Sequence, residues 1–533
     1  MSAVAPSTTT PPSPAPGTVG PIMRITVHGD TYVDSVVQLS GTRAMRQVDG
    51  VEWAAAAMAT PANLDTLEAE GFDLSAVRSA GANDLFLAVR AGSDAAVSAA
   101  LEAAEAAMFT PRLGGGGSDR AARPARTLAE ALDRAPDSNV AVISVPGDYA
   151  ALEAHKALSA GLDVLLFSDN VPVADEIELK DRATRLGRLV MGPGAGTAML
   201  GHTCLGFANV VRPGRVAVVA AAGTGAQEAA SLVDRWGVGV SHVIGLGGRD
   251  LTEAVGGRMA LSAVRGLVDD PATDVILLVS KPPSVPVAHA VVAAAAGKPL
   301  VAALIGVPED FAAPDGVVVT RTLEAGAVAA VRAAGGAAPE VTGDLVSRVR
   351  AAAGELPAGR TLVRGLFSGG TLCYESLVIL SEVLGPVYSN TPIDKSLGLP
   401  VPPGAHSCLD LGEEEYTKGR PHPMIDPEAR IEMLREQGAD PAVAVIILDV
   451  VLGYGAHPDP AAELAPICAE ITAGGGPRII TYVLGTDSDP QGYADQRAAF
   501  ERAGCLVTET AARASLAAAA LASRRPELAG SAL

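Results

Sequence analysis

From residue 139 onward, short continuous apolar runs alternate with segments of helical period. Residues 140–145 form a β-rich run, 148–160 are helical in period, and 164–167 form a second strand. Residues 173–186 predict another helix, and 188–191 a third strand that ends in Gly192-Pro193-Gly194. The alternation resumes at 215–220 and runs to about Ala334; a third block occupies 362 to about 521. Uninterrupted apolar strands between amphipathic helices predict parallel sheets covered on both faces. The fold class expected is therefore α/β, with several doubly wound parallel-sheet domains. Ahead of them, strands at 25–28 and 85–90 and helices at 63–70 and 93–107 predict a small amino-terminal α/β module.

Punctuation between patterned segments sets the expected domains. Residues 1–22 are rich in Pro, Ser and Thr and predict a disordered tail, and Met23 is a candidate true start. The small module spans 23–110. Four consecutive glycines, Gly114 to Gly117, mark a flexible linker at 111–126. The α/β blocks then occupy 127–212, 213–334 and 361–525, with a Gly/Ala/Pro-rich linker at 335–360 and a tail at 526–533.

The second and third blocks read as divergent copies. Ala222-Gly223-Thr224-Gly225-Ala226-Gln227-Glu228 parallels Gly369-Gly370-Thr371-Leu372-Cys373-Tyr374-Glu375, each after a strand and opening a helix. Farther on, Asp270-Pro271-Ala272 and Asp440-Pro441-Ala442 each feed an apolar strand. Matching features in one order point to duplication.

Composition narrows the functions. Lys plus Arg number 40 against 60 Asp plus Glu, and a net charge of −20 argues against non-specific binding to nucleic acid or anionic lipid. Five scattered cysteines without a CxxC fit reduced thiols in a cytoplasmic protein better than a disulfide framework or a zinc site. The histidines show no metal-ligand spacing, so no metal is expected. Residues 288–307 are interrupted by Lys298 and Pro299, which leaves no membrane span. GxSxG, P-loop and HExxH motifs are absent.

The chemistry expected lies at the two Gly-Thr helix openings. Free N–H groups and the helix macrodipole make such a tip attractive to an anion, and glycine lets the anion approach the backbone. The candidate phosphate-binding residues are Gly223, Thr224, Gly225 and Ala226 on one tip, with Gly369, Gly370 and Thr371 on the other. Glu228 and Glu375, each four residues after the Thr, are candidate catalytic carboxyls by position, with capping or pairing as the alternative. Other candidate ligand loops hold Gly192, Gly194, Gly247 and Gly248 at strand ends. Residues 416–423 place Lys418, Arg420 and His422 in a Pro/Gly-bounded loop; Arg420 is a candidate carboxylate clamp, and a solvated loop is the competing reading.

These features together resemble a known family. Residues 140–196 resemble the second half of the CoA-binding domain of the succinyl-CoA synthetase α subunit. Residues 215–306 resemble that subunit's ligase domain, and 362–521 the carboxy-terminal domain of the β subunit. One chain with both, behind an unrelated amino-terminal module, resembles the FdrA family of acyl-CoA synthetase-like proteins. The resemblance implies a partial Rossmann-like CoA-binding domain, two flavodoxin-like ligase domains, and facing helix tips around a phosphoryl group. Four departures stand out. Residues 306–318 lack the phosphorylated histidine, Ser280-Lys281 replaces its acidic partner, and the amino-terminal glycine loop for CoA and an ATP-grasp domain are missing. The family further implies a subunit of oxamate carbamoyltransferase in allantoin breakdown. Phosphate would be the co-substrate, a small anion the substrate, and other carbamoyltransferase subunits the partners. A CoA ligase completed by a partner, and a non-catalytic structural subunit, are the alternatives.

Overall fold

The computed structural model describes residues 21–33, 35–109, 125–295, 297–308, 310–337, 340–417 and 421–532. These form two compact units, one up to residue 122 and one from 123 onward, apart from 418–421. Most of the expected linker, and all but the last two residues of the expected tail at 1–22, lie outside the described residues.

The first unit runs β1 (Ile22–His28), α1 (Ser35–Arg46), β2 (Val51–Met58), α2 (Pro61–Ala69), β3 (Leu85–Ala91) and α3 (Asp94–Phe109). Its antiparallel sheet has the order β1-β3-β2. One face buries Met45, Ala54 and Val97, and the other Leu67, Phe72 and Val77, so both faces are covered. Thr60 caps α2 by accepting the Asn63 N–H. The patterned chain begins at Ile22, one residue inside the expected tail.

The second unit opens with α4 (Leu128–Arg134), β4 (Val140–Ile143), α5 (Gly147–Ser159), β5 (Asp163–Leu166), α6 (Val173–Leu186) and β6 (Val190–Met191). Strands β4-β5-β6 form a parallel sheet. A hairpin, β7 (Thr197–Leu200) and β8 (Thr203–Gly206), follows. Then come β9 (Pro213–Ala220), α7 (Gly223–Arg235), β10 (Val240–Gly245), α8 (Arg258–Asp269), β11 (Val275–Ser280), α9 (Val285–Ala293), β12 (Leu300–Leu304), β13 (Val317–Thr320), α10 (Leu323–Ala333) and α11 (Leu345–Glu355). The last stretch holds β14 (Leu362–Phe367), α12 (Gly370–Leu384), β15 (Val387–Tyr388), β16 (His406–Asp410), α13 (Glu414–Thr417), α14 (Glu428–Ala439), β17 (Val443–Val451), α15 (Pro460–Ala473), β18 (Arg478–Leu484), α16 (Tyr493–Arg502), β19 (Leu506–Thr508) and α17 (Ala511–Ala522).

Two large sheets carry the duplication. The first has the order β13-β12-β11-β9-β10-β7-β8, parallel except for the hairpin at its edge. The second has the order β15-β16-β14-β17-β18-β19 and is parallel throughout. In each, the strand that opens the copy lies between the second and third main strands, the flavodoxin-like order. All nine residues of β17 are buried, as a central strand with both faces covered requires. Helix α17 is buried along its whole length; its alanines let it pack closely on α12, β17 and β18. One contiguous apolar cluster joins Val218 and Leu277 of the first large sheet to Phe367 and Tyr482 of the second. The two copies therefore share a core.

Three expected boundaries change. The hairpin at 197–206 belongs to the sheet of the following block, so 212 is not a domain edge. Its turn residues Gly201 and His202 both have positive φ, the conformation of a tight two-residue hairpin turn. The linker at 335–360 contains α11, which buries Leu345 and Val349. The tail at 526–533 folds into a 3-10 turn, Pro526–Gly530, with Ala529 buried. In both segments a few apolar residues find a core that local composition does not reveal.

Candidate functional site

Helices α7 and α12 start at the switch points of their sheets, where successive connections leave in opposite directions and open a crevice. The tips of the two helices touch. The Thr371 N–H donates to Thr224 Oγ1 at 3.4 Å. A Cβ on Gly225 would lie 2.8 Å from Thr371 Cγ2, and one on Gly369 would lie 2.9 Å from Thr224 Cγ2. Glycine at both positions permits this approach. No side chain caps α7 at Ala222 or α12 at Gly369. Gly223 is exposed, and Thr224 and Gly370 are half-buried.

Part of the expected anion cradle is already occupied. Asp449, near the end of β17, accepts the N–H groups of Ser368 (2.8 Å) and Gly369 (2.7 Å) and the Ser368 hydroxyl (3.0 Å). Arg430 of α14 pairs with the same carboxylate at 3.1 Å. The Gly369 N–H is therefore not available to a ligand, which corrects its assignment. Ala226 is corrected too, because it is buried and its N–H returns to the Ala222 carbonyl. Gly225 and Thr371 shape the contact between tips. Gly223, Thr224 and Gly370 keep the accessible positions.

Three side chains that the motif reading did not select gather there. Asp410, at the end of β16, accepts the Gly412 N–H through Oδ1 at 3.0 Å. Its Oδ2 faces the tip of α12, where a Cβ on Gly370 would collide with it and would lie 3.3 Å from Lys281 Nζ. Burial pushes the Asp410 carboxyl up to about 6 against the pull of Lys281. Lys281 follows β11, is half-buried, and makes no ion pair among the described residues. Asp449 is the third. The sequence signal was the end of each strand: Ser280-Lys281, Leu409-Asp410 and Leu448-Asp449 all carry a polar residue where an apolar run stops or is broken. His422, from the expected loop, joins this cluster, with its ring beside Gly412 and its Nδ1 accepting the Met424 N–H at 3.2 Å. Burial holds the imidazole down at about 4, so it is neutral.

Glu228 and Glu375 do not serve the tips. Each is only 1 % exposed. Glu228 accepts the Tyr482 hydroxyl, and Glu375 accepts the Leu323 N–H at 2.6 Å. The catalytic expectation for both is corrected in favour of interior packing between the copies. Burial raises Glu228 to about 7, with Arg235 and Tyr482 opposing; it raises Glu375 to about 8, with Glu228 and Glu324 adding to the rise. A carboxyl raised on folding binds its proton more tightly in the folded state. Its contribution to stability is full below about pH 4.5 and is lost as pH rises through about 8. Glu375→Gln should therefore gain stability relative to the parent chain between pH 5 and 9, measured by urea unfolding across that range. An unchanged difference would contradict the assignment.

Two of the remaining loop glycines pack against backbone. A Cβ on Gly192 would strike the Leu166 carbonyl, and one on Gly247 the Pro193 carbonyl, so these turns close against neighbouring backbone. Gly194 and Gly248 are exposed beside them. Arg420 and Lys418 lie outside the described residues. The five cysteines are free thiols. Among the described residues there is no cluster of His, Cys, Asp and Glu able to hold a metal ion, and no helix long and apolar enough to cross a membrane.

Paired flavodoxin-like sheets with abutting helix tips define a protein of the CoA-ligase type. Residues 366–521 match the CoA-ligase family, and residues 22–124 match the AllF heavy metal-associated domain. The chain is 38% identical to the uncharacterized protein YahF of Escherichia coli (strain K12) over 508 residues, 93% of this chain and 97% of that protein. It belongs to the FdrA family, as a YahF-like protein with a CoA-ligase domain. It is also 30% identical over 172 residues to the succinate–CoA ligase [ADP-forming] subunit alpha 2 of Archaeoglobus fulgidus, which covers 32% of this chain and 58% of that subunit. Among solved structures, the dinucleotide forming acetyl-coenzyme A synthetase 1 of Ca. Korarchaeum cryptofilum (apo form) aligns with 73% of this chain and 84% of its own, at 16% identity and a TM-score of 0.28. The first unit does not fit the soft metal its family description implies. Residues 22–124 contain no cysteine, and their one histidine, His28, packs on Phe109 and faces Glu105 at 3.6 Å.

Proposed function

We propose that the second unit holds phosphate, or an acyl phosphate, at the meeting point of α7 and α12, and that the chain acts in phosphate-dependent carbamoyl transfer. The reaction is oxalurate plus phosphate to oxamate plus carbamoyl phosphate, in a cytoplasmic hetero-complex with other carbamoyltransferase subunits. The observation that carries the reading is the contact of Thr371 with Thr224, which brings the leading ends of α7 and α12 and the Lys281 ammonium to one place. Phosphate there would be positioned to attack a carbamoyl carbon. The same N–H groups would stabilise the charge that develops.

A CoA ligase completed by a partner is the second reading, favoured by the CoA-ligase match over 366–521. Lys281 in place of an acidic residue speaks against a phosphohistidine relay within this chain. A non-catalytic subunit is the third reading. Thermal unfolding separates them. Phosphate and carbamoyl phosphate should raise the melting temperature, by an amount that grows with concentration. A rise with CoA and ATP alone supports the ligase, and no rise with any of them supports the structural subunit. Oxalurate and phosphate given to the purified complex should yield carbamoyl phosphate.

A further inference from the structure

Asp410 is a buried acidic side chain of the cluster with one oxygen not committed to a hydrogen bond among the described residues. Asp449 spends its oxygens on Ser368, Gly369 and Arg430. Asp410 is only 3 % exposed, its Oδ1 is held by Gly412, and its Oδ2 has no hydrogen bond among the described residues. That free oxygen points at the tip of α12, beside Lys281 Nζ. A carboxyl oxygen that makes no hydrogen bond and faces the place where an anion would sit is free to exchange a proton there.

We propose that Asp410 is the proton-transfer residue of this site, placed to protonate the atom that leaves when phosphate attacks. The inference rests on the phosphate reading above and names the general acid that it lacks. In carbamoyl transfer, a phosphate oxygen forms a bond to the carbamoyl carbon and the bond from that carbon to nitrogen breaks. The Asp410 proton goes to the departing oxamate nitrogen. The hydroxyl proton of the attacking phosphate then restores the acid, so protons balance without another reactant. The raised carboxyl supports this, since a group titrating near 6 exchanges its proton readily close to neutrality.

The groups that face Asp410 are Lys281 from the loop after β11, Cys373 of α12, Glu413 and His422 from its own side, and Asp449 of β17, with Arg430 of α14 behind it. His422, held near 4, stays neutral above pH 5. An ionised Asp410 repels a bound anion, and a protonated one does not.

Sulfate, whose charge is fixed across this range, is the probe. With the full-length chain, sulfate affinity from thermal shift or calorimetry should rise roughly tenfold as pH falls from 7.5 to 5. Asp410→Asn should abolish that dependence while binding sulfate as the parent does at pH 5. Lys281→Gln should weaken sulfate at every pH and move the midpoint upward, because the ammonium that holds the Asp410 carboxyl down is gone, which checks the site with a second variant. In the oxalurate assay near neutral pH, Asp410→Asn should lower kcat by roughly 100-fold or more without raising KM for phosphate. Sulfate binding by the parent with an identical pH dependence in Asp410→Asn would overturn the role of Asp410 and leave the anion site standing. A parent chain that ignores sulfate and phosphate at every pH would overturn both.

Discussion

Asp449→Ala should destabilise the protein by about 3–5 kcal/mol and abolish its response to phosphate. The Arg430 guanidinium is buried, with Asp449 as its carboxylate and the Leu366 and Asp449 carbonyls as its other acceptors. Removing the carboxylate leaves that charge unpaired in the interior. It also frees the Ser368 and Gly369 N–H groups, so the approach to α12 loses the anchor that fixes its tip against Thr224. Asp449→Asn keeps the shape and one acceptor and should lose less. Urea unfolding gives the stability, and phosphate-dependent melting the site. An Asp449→Ala chain of parental stability would show that the pair is not structural.

Lys180→Met should cost a similar amount, again about 3–5 kcal/mol, for a reason remote from the site. Lys180 is fully buried on α6, 2.7 Å from Glu176 and 2.8 Å from Asp250, and donates to the Leu246 carbonyl at 3.0 Å. Asp250 in turn accepts the N–H groups of Met259 (3.2 Å) and Ala260 (2.9 Å) at the start of α8. Arg249 lies 2.9 Å from Glu176 and would remain, so Asp250 is the carboxylate left without a cation. Adding Asp250→Asn to Lys180→Met should recover part of the loss. Equal loss in the single and double variants, measured by urea unfolding, would show that the charge is not the cause.

The alternation of apolar strands and helices revealed the sheets because parallel strands are buried on both faces and leave a plain signal, as in β11 and β17. The duplicated Gly-Thr openings revealed the helix tips, and these do meet. The hairpin at 197–206 was hidden because its four-residue strands are too short for a period, and its pairing with β10 is a tertiary choice. Glu228 and Glu375 drew attention by repetition, yet repetition also marks the interface of two copies, where each buried carboxyl bonds to a group of the other copy, Tyr482 for Glu228 and the Leu323 N–H for Glu375. Asp410, Lys281 and Asp449 lie on separate strand ends, from 281 to 449, and only the topology brings them together. A motif confined to a few consecutive residues could not contain them.

The account turns on one anion at the junction of the two copies. A crystal of the full-length chain grown or soaked with phosphate tests it directly. The account predicts phosphate in contact with the leading N–H groups of α7 and with Gly370, within reach of Lys281 and Asp410. Empty tips at saturating phosphate, or phosphate bound only elsewhere, would contradict it.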